Sequence, residues 1–272
     1  MRRLTAILCL TLAVLFGSAG LSWSADFQKG MTAVRSGDYA TALREWTPLA
    51  EQGDANAQFK LGSMYQQGIG VPKDNKIAIK WLTLAAKQGS VGAQHNLGNT
   101  YSKGKIVPKD LKTAVKWWSL AAKQGFRNSQ YNLGLMYQRG TGVQQNFGTA
   151  IKWFTLAAKQ GFSNAQASLG KIYAFGLKTP DYNNALKWYT LAANQGHANA
   201  QAGLGLIYGN GLGIPQDTTY AYMWISVAAA NGSKMGAIFK NRFTKHVKIT
   251  TSQIAEAEKL ARECIHKKYK GC

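Results

Sequence analysis

The decapeptide KWWSLAAKQG at residues 116–125 recurs along the chain, and this recurrence constrains the fold more than any other feature. It returns as KWLTLAAKQG (80–89), KWFTLAAKQG (152–161), KWYTLAANQG (187–196) and, more loosely, MWISVAAANG (223–232). The closing glycines Gly53, Gly89, Gly125 and Gly161 stand 36 residues apart; Gly196 follows after 35 and Gly232 after 36. A fixed period in this range means units that cannot bury their apolar faces alone and therefore stack into an array.

Each period holds two helical patterns. In the unit from Asp54 to Gly89, Ala57, Leu61, Tyr65 and Gly68 trace one stripe of a helix. Gly68 and Gly70 suit the left-handed positions that end a helix, with Pro72 just beyond. Asp74 is placed to cap a second helix, whose stripe is Ala78, Trp81, Leu82 and Ala85. The recurring tryptophans 81, 117, 153, 188 and 224 read as packing between helix pairs rather than as a binding platform. Trp118 occupies a position otherwise held by Leu82, Phe154, Tyr189 or Ile225, and reads as buried filler. Gly62, Gly98, Gly134, Gly170 and Gly205 fall inside helices, where each costs roughly 1 kcal/mol relative to alanine. Their repetition predicts close helix crossings.

This succession of alanine, leucine-glycine, tyrosine, glycine-x-glycine-valine, aspartate, alanine, tryptophan and alanine-alanine-x-x-glycine resembles the Sel1-like repeat, a relative of the tetratricopeptide repeat. The resemblance covers five units, 54–89, 90–125, 126–161, 162–196 and 197–232. It implies an all-α, right-handed superhelical solenoid of antiparallel helix pairs that acts as a protein-interaction scaffold without enzymatic activity. Two loops depart from the pattern: GKIVPKD (104–110), where Lys105 interrupts the glycine-x-glycine, and GLKTPDY (176–182), one residue short. Both should differ locally. Residues 27–53, with GDYATALREW, resemble a tetratricopeptide-type helix pair whose second helix should kink at Pro48. Residues 233–272 read as C-terminal capping helices, with Thr250 and Gln253 at capping-box spacing.

The first 24 residues have the order of a secretory signal peptide: Arg2 and Arg3, an apolar run from Leu4 to Phe16, then small residues. Cleavage after Ser24 is expected, with Ala25 or Gly20 as alternatives, and an uncleaved anchor is the other reading. Cys9 lies inside the apolar run rather than at its end, unlike a lipid-attachment cysteine. The chain is thus expected in the periplasm or secreted, with no transmembrane span once the leader is removed. Cys264 and Cys272 then remain, to form an intramolecular disulfide, an intermolecular one, or two free thiols.

Little in the sequence suggests chemistry. His95, His197, His246 and His266 are scattered without metal-site spacing, and His95 and His197 read as exposed polar residues of the variable segments. Asp74, Asp110 and Asp217 hold equivalent capping positions. No catalytic residue, metal or cofactor is expected. Some cysteine-rich Sel1-like proteins are associated with β-lactam binding, but their cysteine pair in every repeat is missing here. An enzyme acting on peptidoglycan or a β-lactam is the weakest alternative.

Charge is the sharper anomaly, at +21 formally. Lys76, Lys80 and Lys87, then Lys112, Lys116 and Lys123, then Lys152 and Lys159 recur at helical spacing away from the tryptophan stripe, predicting a basic convex face. Such a face attracts acidic proteins or anionic envelope glycan, lipopolysaccharide and lipid headgroups; no nucleic-acid module is visible. The first helices should line a concave groove. Its candidate residues are Lys60, Ser63 and Gln67; Asn96, Asn99 and Lys103; Asn132 and Arg139; Lys171 and Phe175; and Asn210. The groove is expected to take an extended segment or acidic loop of another exported or envelope protein, with asparagine amides pairing to its backbone.

Overall fold

The computed structural model describes residues 25–247 and 249–272; the expected leader and Cys9 lie outside the described residues. Those residues form fourteen helices and no strand. The described residues divide into two compact units, one ending at Ala85 and the other beginning at Ala86.

The first unit holds α1 (Phe27–Arg35), α2 (Tyr39–Glu51), α3 (Ala55–Gln67) and most of α4 (Asn75–Lys87). Asp26, Asp38 and Asp54 cap α1, α2 and α3 by accepting from backbone N–H groups of the first turn. Asp74 does the same for Lys76 and Ile77 at the start of α4. Pro48 lies inside α2, which continues past it to Glu51. The core gathers Ala42, Trp46, Leu61 and Met64, with Trp81 partly buried against them. The Trp46 ring lies on Gly30, where any Cβ would collide with the indole, and Trp46 Nε1 donates to the Phe27 carbonyl at 3.1 Å.

The second unit stacks α5 (Val91–Lys103) on α6 (Leu111–Lys123), α7 (Arg127–Arg139) on α8 (Phe147–Lys159), α9 (Ser163–Phe175) on α10 (Tyr182–Ala193) and α11 (Ala198–Asn210) on α12 (Thr218–Ala230). Each second helix also packs on the next first helix. Asp110, Asn146, Asp181 and Asp217 cap the second helices. Gly140 with Gly142, and Gly211 with Gly213, take positive φ at the turn between helices. The two irregular loops do differ: Gly104 is left-handed but Ile106 is not, and Gly176 ends α9 in the right-handed region at φ −99°.

The mid-helix glycines act in a more specific way than a general close crossing. Gly98 faces the Trp118 ring, Gly134 Phe154, Gly170 Tyr189 and Gly205 Ile225, and a Cβ at each would overlap the facing side chain. Gly62 stands against Leu82 in the same manner within the first unit. The glycine is therefore a notch, and the large apolar residue is the knob that fills it. The knob is the more deeply buried of the two neighbours: Trp118 and Phe154 are buried, whereas Trp117, Trp153 and Trp188 are half-buried. Trp153 packs on the cluster of Ala114, Trp118, Ala122 and Leu133, and Trp188 on that of Ala150, Phe154 and Leu169. The repeated tryptophan thus joins its own repeat to the one before.

A polar ladder accompanies this packing. The buried amides of Gln94, Gln130, Gln166 and Gln201 donate to the carbonyls of Ala86, Ala122, Ala158 and Ala193 near the end of the preceding second helix. Their Oε1 atoms accept from Gln124, Gln160, Gln195 and Asn231 at the end of their own second helix. Each bond contributes about 1 kcal/mol net, and leaving one of these buried amides unpaired would cost more.

The array closes with α13 (Lys234–His246) and α14 (Thr251–His266), the latter opened by a capping box of Thr250 and Gln253. α14 lies along α12: Gln253 Nε2 donates to Thr218 Oγ1, and the Tyr269 hydroxyl donates to Asn231 Oδ1 at 2.6 Å. A disulfide joins Cys264 to Cys272, with Cα atoms 5.4 Å apart.

Candidate interaction groove and the second-helix face

The proposed groove residues divide between the units. Lys60, Ser63 and Gln67 lie on α3 in the first unit, where the Ser63 hydroxyl donates to the Phe59 carbonyl. The others lie on first helices of the second unit. Asn96, Asn99 and Asn132 are half-buried, and Lys103, Arg139, Lys171, Phe175 and Asn210 are exposed.

Asn99 and Asn132 are already engaged with each other. Asn132 Nδ2 donates to Asn99 Oδ1, Asn99 Nδ2 donates to His95 Nε2 at 3.0 Å, and His95 Nδ1 then donates to Ser129 Oγ at 2.8 Å. This chain of side chains ties α5 to α7. His95 is accordingly half-buried against the Phe126 ring rather than an exposed surface residue. Burial, assisted by the nearby Lys103 charge, pushes its pKa down to about 4, so the ring bridges the helices in its neutral form. His197 is also half-buried and serves as the cap of α11: Nδ1 accepts from Ala200 N–H, and Nε2 donates to Asn164 Oδ1. Burial lowers its pKa as well.

What the fold brings together is a narrower set. Two adjoining depressions of about 670 and 970 Å³ run across α7, α9, α11 and α13, sharing Ala167, Lys171, Phe175, His197 and Asn199. Arg139 lines the first and Lys234 and Met235 the second, and neither lining contains a carboxylate. Phe175 is 53% exposed at the centre. Asn164 and Asn199 were not among the sequence candidates; they precede the buried Ala-Gln of their helices, in an NAQ triplet that recurs in phase at 56–58, 164–166 and 199–201. Asn199 Oδ1 accepts from Ser233, and its Nδ2 has no partner among the described residues, beside Lys171. Asn210 stands apart in a smaller depression with Arg242 and Phe239, and its amide donates to the Leu206 carbonyl.

The lysines of the expected basic face, Lys76, Lys80, Lys87, Lys112, Lys116, Lys123, Lys152 and Lys159, are all exposed. Among the described residues none of them is in an ion pair. Lys80 Nζ lies 5.3 Å from the Trp81 ring centroid. No helix among the described residues is long and apolar enough to cross a membrane, and no His/Cys/Asp/Glu group among them could hold a metal ion.

Stacked helix pairs repeated in phase define an all-α helical-repeat protein. The Sel1 repeat model matches residues 55–90, 91–126, 127–162, 163–197 and 198–233, and the chain belongs to the Sel1 repeat family. Proteins of this family are generally protein-interaction scaffolds. Among solved structures, a Sel1 repeat protein from Oxalobacter formigenes is similar at 33% identity and a TM-score of 0.67, with 88% of this chain and 100% of that chain covered. Another is c5321, described as a protective antigen present in uropathogenic Escherichia coli strains and displaying the same class of repeat fold, at 30% identity and a TM-score of 0.77. The match covers 87% of this chain but 53% of the Escherichia coli chain, about half its length. No curated protein matches the sequence.

Proposed function

We propose that the protein is a non-enzymatic, exported scaffold that binds a segment of another exported or envelope protein in the groove across α7, α9, α11 and α13. The observation that carries this reading is the exposed Phe175 ring set among Arg139, Lys171 and Lys234 with no carboxylate in the lining. An apolar anchor ringed by unpaired cations suits a segment with an aromatic or aliphatic side chain flanked by acidic residues. The free amide of Asn199 offers a donor to the backbone of such a segment. Export is supported by the leader-like order of the first residues and by the Cys264–Cys272 disulfide, a bond that persists in oxidising compartments. The unpaired outer lysines support a second reading, attraction to anionic glycan or lipid headgroups.

The test is photocrosslinking in intact cells from a photoreactive phenylalanine at position 175, with identification of the captured chain. Capture of a defined exported protein is expected, and Lys171→Glu should reduce it about tenfold or more. Capture unchanged by Lys171→Glu, or recovery of polysaccharide or lipid alone, would overturn the groove reading.

A further inference from the structure

α12 differs from the other second helices in a way that identifies a second surface. At the position of Lys116 it has Met223, and at that of Leu120 it has Val227, both buried. Together with Tyr220 and Trp224 these residues form the stripe, at spacings of three, one and three, that α14 covers. α14 meets it with Ile254, Ala257, Ala261 and Cys264, a stripe of mostly small residues that permits close approach.

On α6, α8 and α10 the equivalent stripe is uncovered. Leu120, Leu156 and Leu191 are 44%, 46% and 41% exposed, although they recur in strict phase. Lys116, Lys152 and Lys187 stand one turn before them, and these three helices contain no aspartate or glutamate. The helices are neighbours: Gln160 Nε2, at the end of α8, donates to the Gly125 carbonyl just after α6 at 3.0 Å. Lysine alone would make this an ordinary solvated face. Leucine, at a repeat position where the covered helix also carries an apolar residue, does not fit that description.

We infer that the Leu120–Leu156–Leu191 face is a docking surface for an amphipathic helix of a partner protein, seated as α14 is seated on α12. The occupant's inner stripe would be small and apolar, because leucine projects further than Val227. Its edges would be acidic, to meet lysines that have no ion-pair partner among the described residues. The surface is separate from the groove, so it holds whether or not the groove reading does.

The probe is a fluorescein-labelled peptide of residues 250–266 carrying Lys259→Glu, Arg262→Glu and Cys264→Ala, titrated with the full chain and followed by anisotropy. Saturable binding is expected. It should weaken about tenfold or more in the Leu120→Gln/Leu156→Gln/Leu191→Gln variant, whose helical content and melting temperature are checked alongside. It should also weaken in Lys116→Gln/Lys152→Gln/Lys187→Gln and with added salt, and be unchanged in Phe175→Ala. Absence of binding, or binding indifferent to both triple variants, would overturn the inference. So would leucine-dependent binding to phosphatidylglycerol vesicles in place of the peptide, since it would assign the face to a membrane surface.

Discussion

α6 and α12 carry the same repeat, position for position, yet one is a half-exposed helix edged with lysine and the other is buried on nearly every side. Their inner faces agree. Ala114 and Ala221 are wholly buried, Trp118 fills the notch of Gly98, and Ile225 fills that of Gly205. Their outer faces diverge because, among the described residues, α14 packs along α12. The repeat thus has a part set by stacking, which recurs because every neighbour is alike, and a part that follows whatever lies outside it.

The strongest way to break this comparison is to place the same residue at the same repeat position in both helices. Val227→Lys puts an ammonium at a fully buried site beneath α14. It should cost about 3 kcal/mol or more, seen in the urea midpoint or as a fall of roughly 6 °C or more in melting temperature. Leu120→Lys, at a site 44% exposed, should change stability by no more than about 0.5 kcal/mol. Similar losses from the two would show that α6 is covered as α12 is, or that α14 does not seal α12.

A second test targets the face the two regions share. Gly134→Ala drives a methyl into the Phe154 ring, and Gly205→Ala drives one into Ile225 Cγ1; the built Cβ lies 2.5 Å from the facing atom in both. Each substitution should cost about 1–3 kcal/mol by overpacking, measured by urea denaturation. A cost at Gly205 well above that at Gly134 would mean that the terminal repeat is packed by a different rule. Gly53→Ala is no substitute for either, because that glycine has positive φ and nothing within 4 Å of a built Cβ, so it would report backbone strain instead.

These differences also mark what was legible in the sequence. The helix pairs, their aspartate caps, the turn glycines and the two irregular loops follow from local chemistry repeated in phase. Which of two adjacent aromatic positions is deeper did not follow. Recurrence marks the tryptophan as packing between repeats and Trp118 as buried filler, but says nothing of their relative depth, which belongs to the variable neighbour that faces a glycine one helix away. The burial of His95 is not visible locally for a related reason: its partner Ser129 lies 34 residues on, and stacking brings them together. In the candidate groove, Lys171 and Phe175 could be read from first-helix register, but Asn99 and Asn132 bond each other across repeats. The recurring NAQ triplet does not by itself mark Asn164 and Asn199 as groove residues, because the asparagine directly precedes the buried Ala-Gln of its helix.

The smallest effect is expected where a knob carries a polar atom it cannot use. Trp118 Nε1 is buried without a hydrogen-bond partner among the described residues, whereas Trp46, the knob over Gly30, donates to Phe27 O. An unpaired buried donor costs about 1–3 kcal/mol, so Trp118→Phe removes a penalty of the same order as the packing it sacrifices. Phe154 already shows that phenylalanine fills an equivalent notch with full burial. Trp118→Phe should therefore shift stability by less than about 1 kcal/mol. Trp46→Phe forfeits a made bond, and should cost about 1–2 kcal/mol more than the change at 118. Equal costs at the two sites would mean either that the Trp118 indole has a partner after all or that the Trp46 bond contributes nothing and notch and knob alone set the energy of the pair.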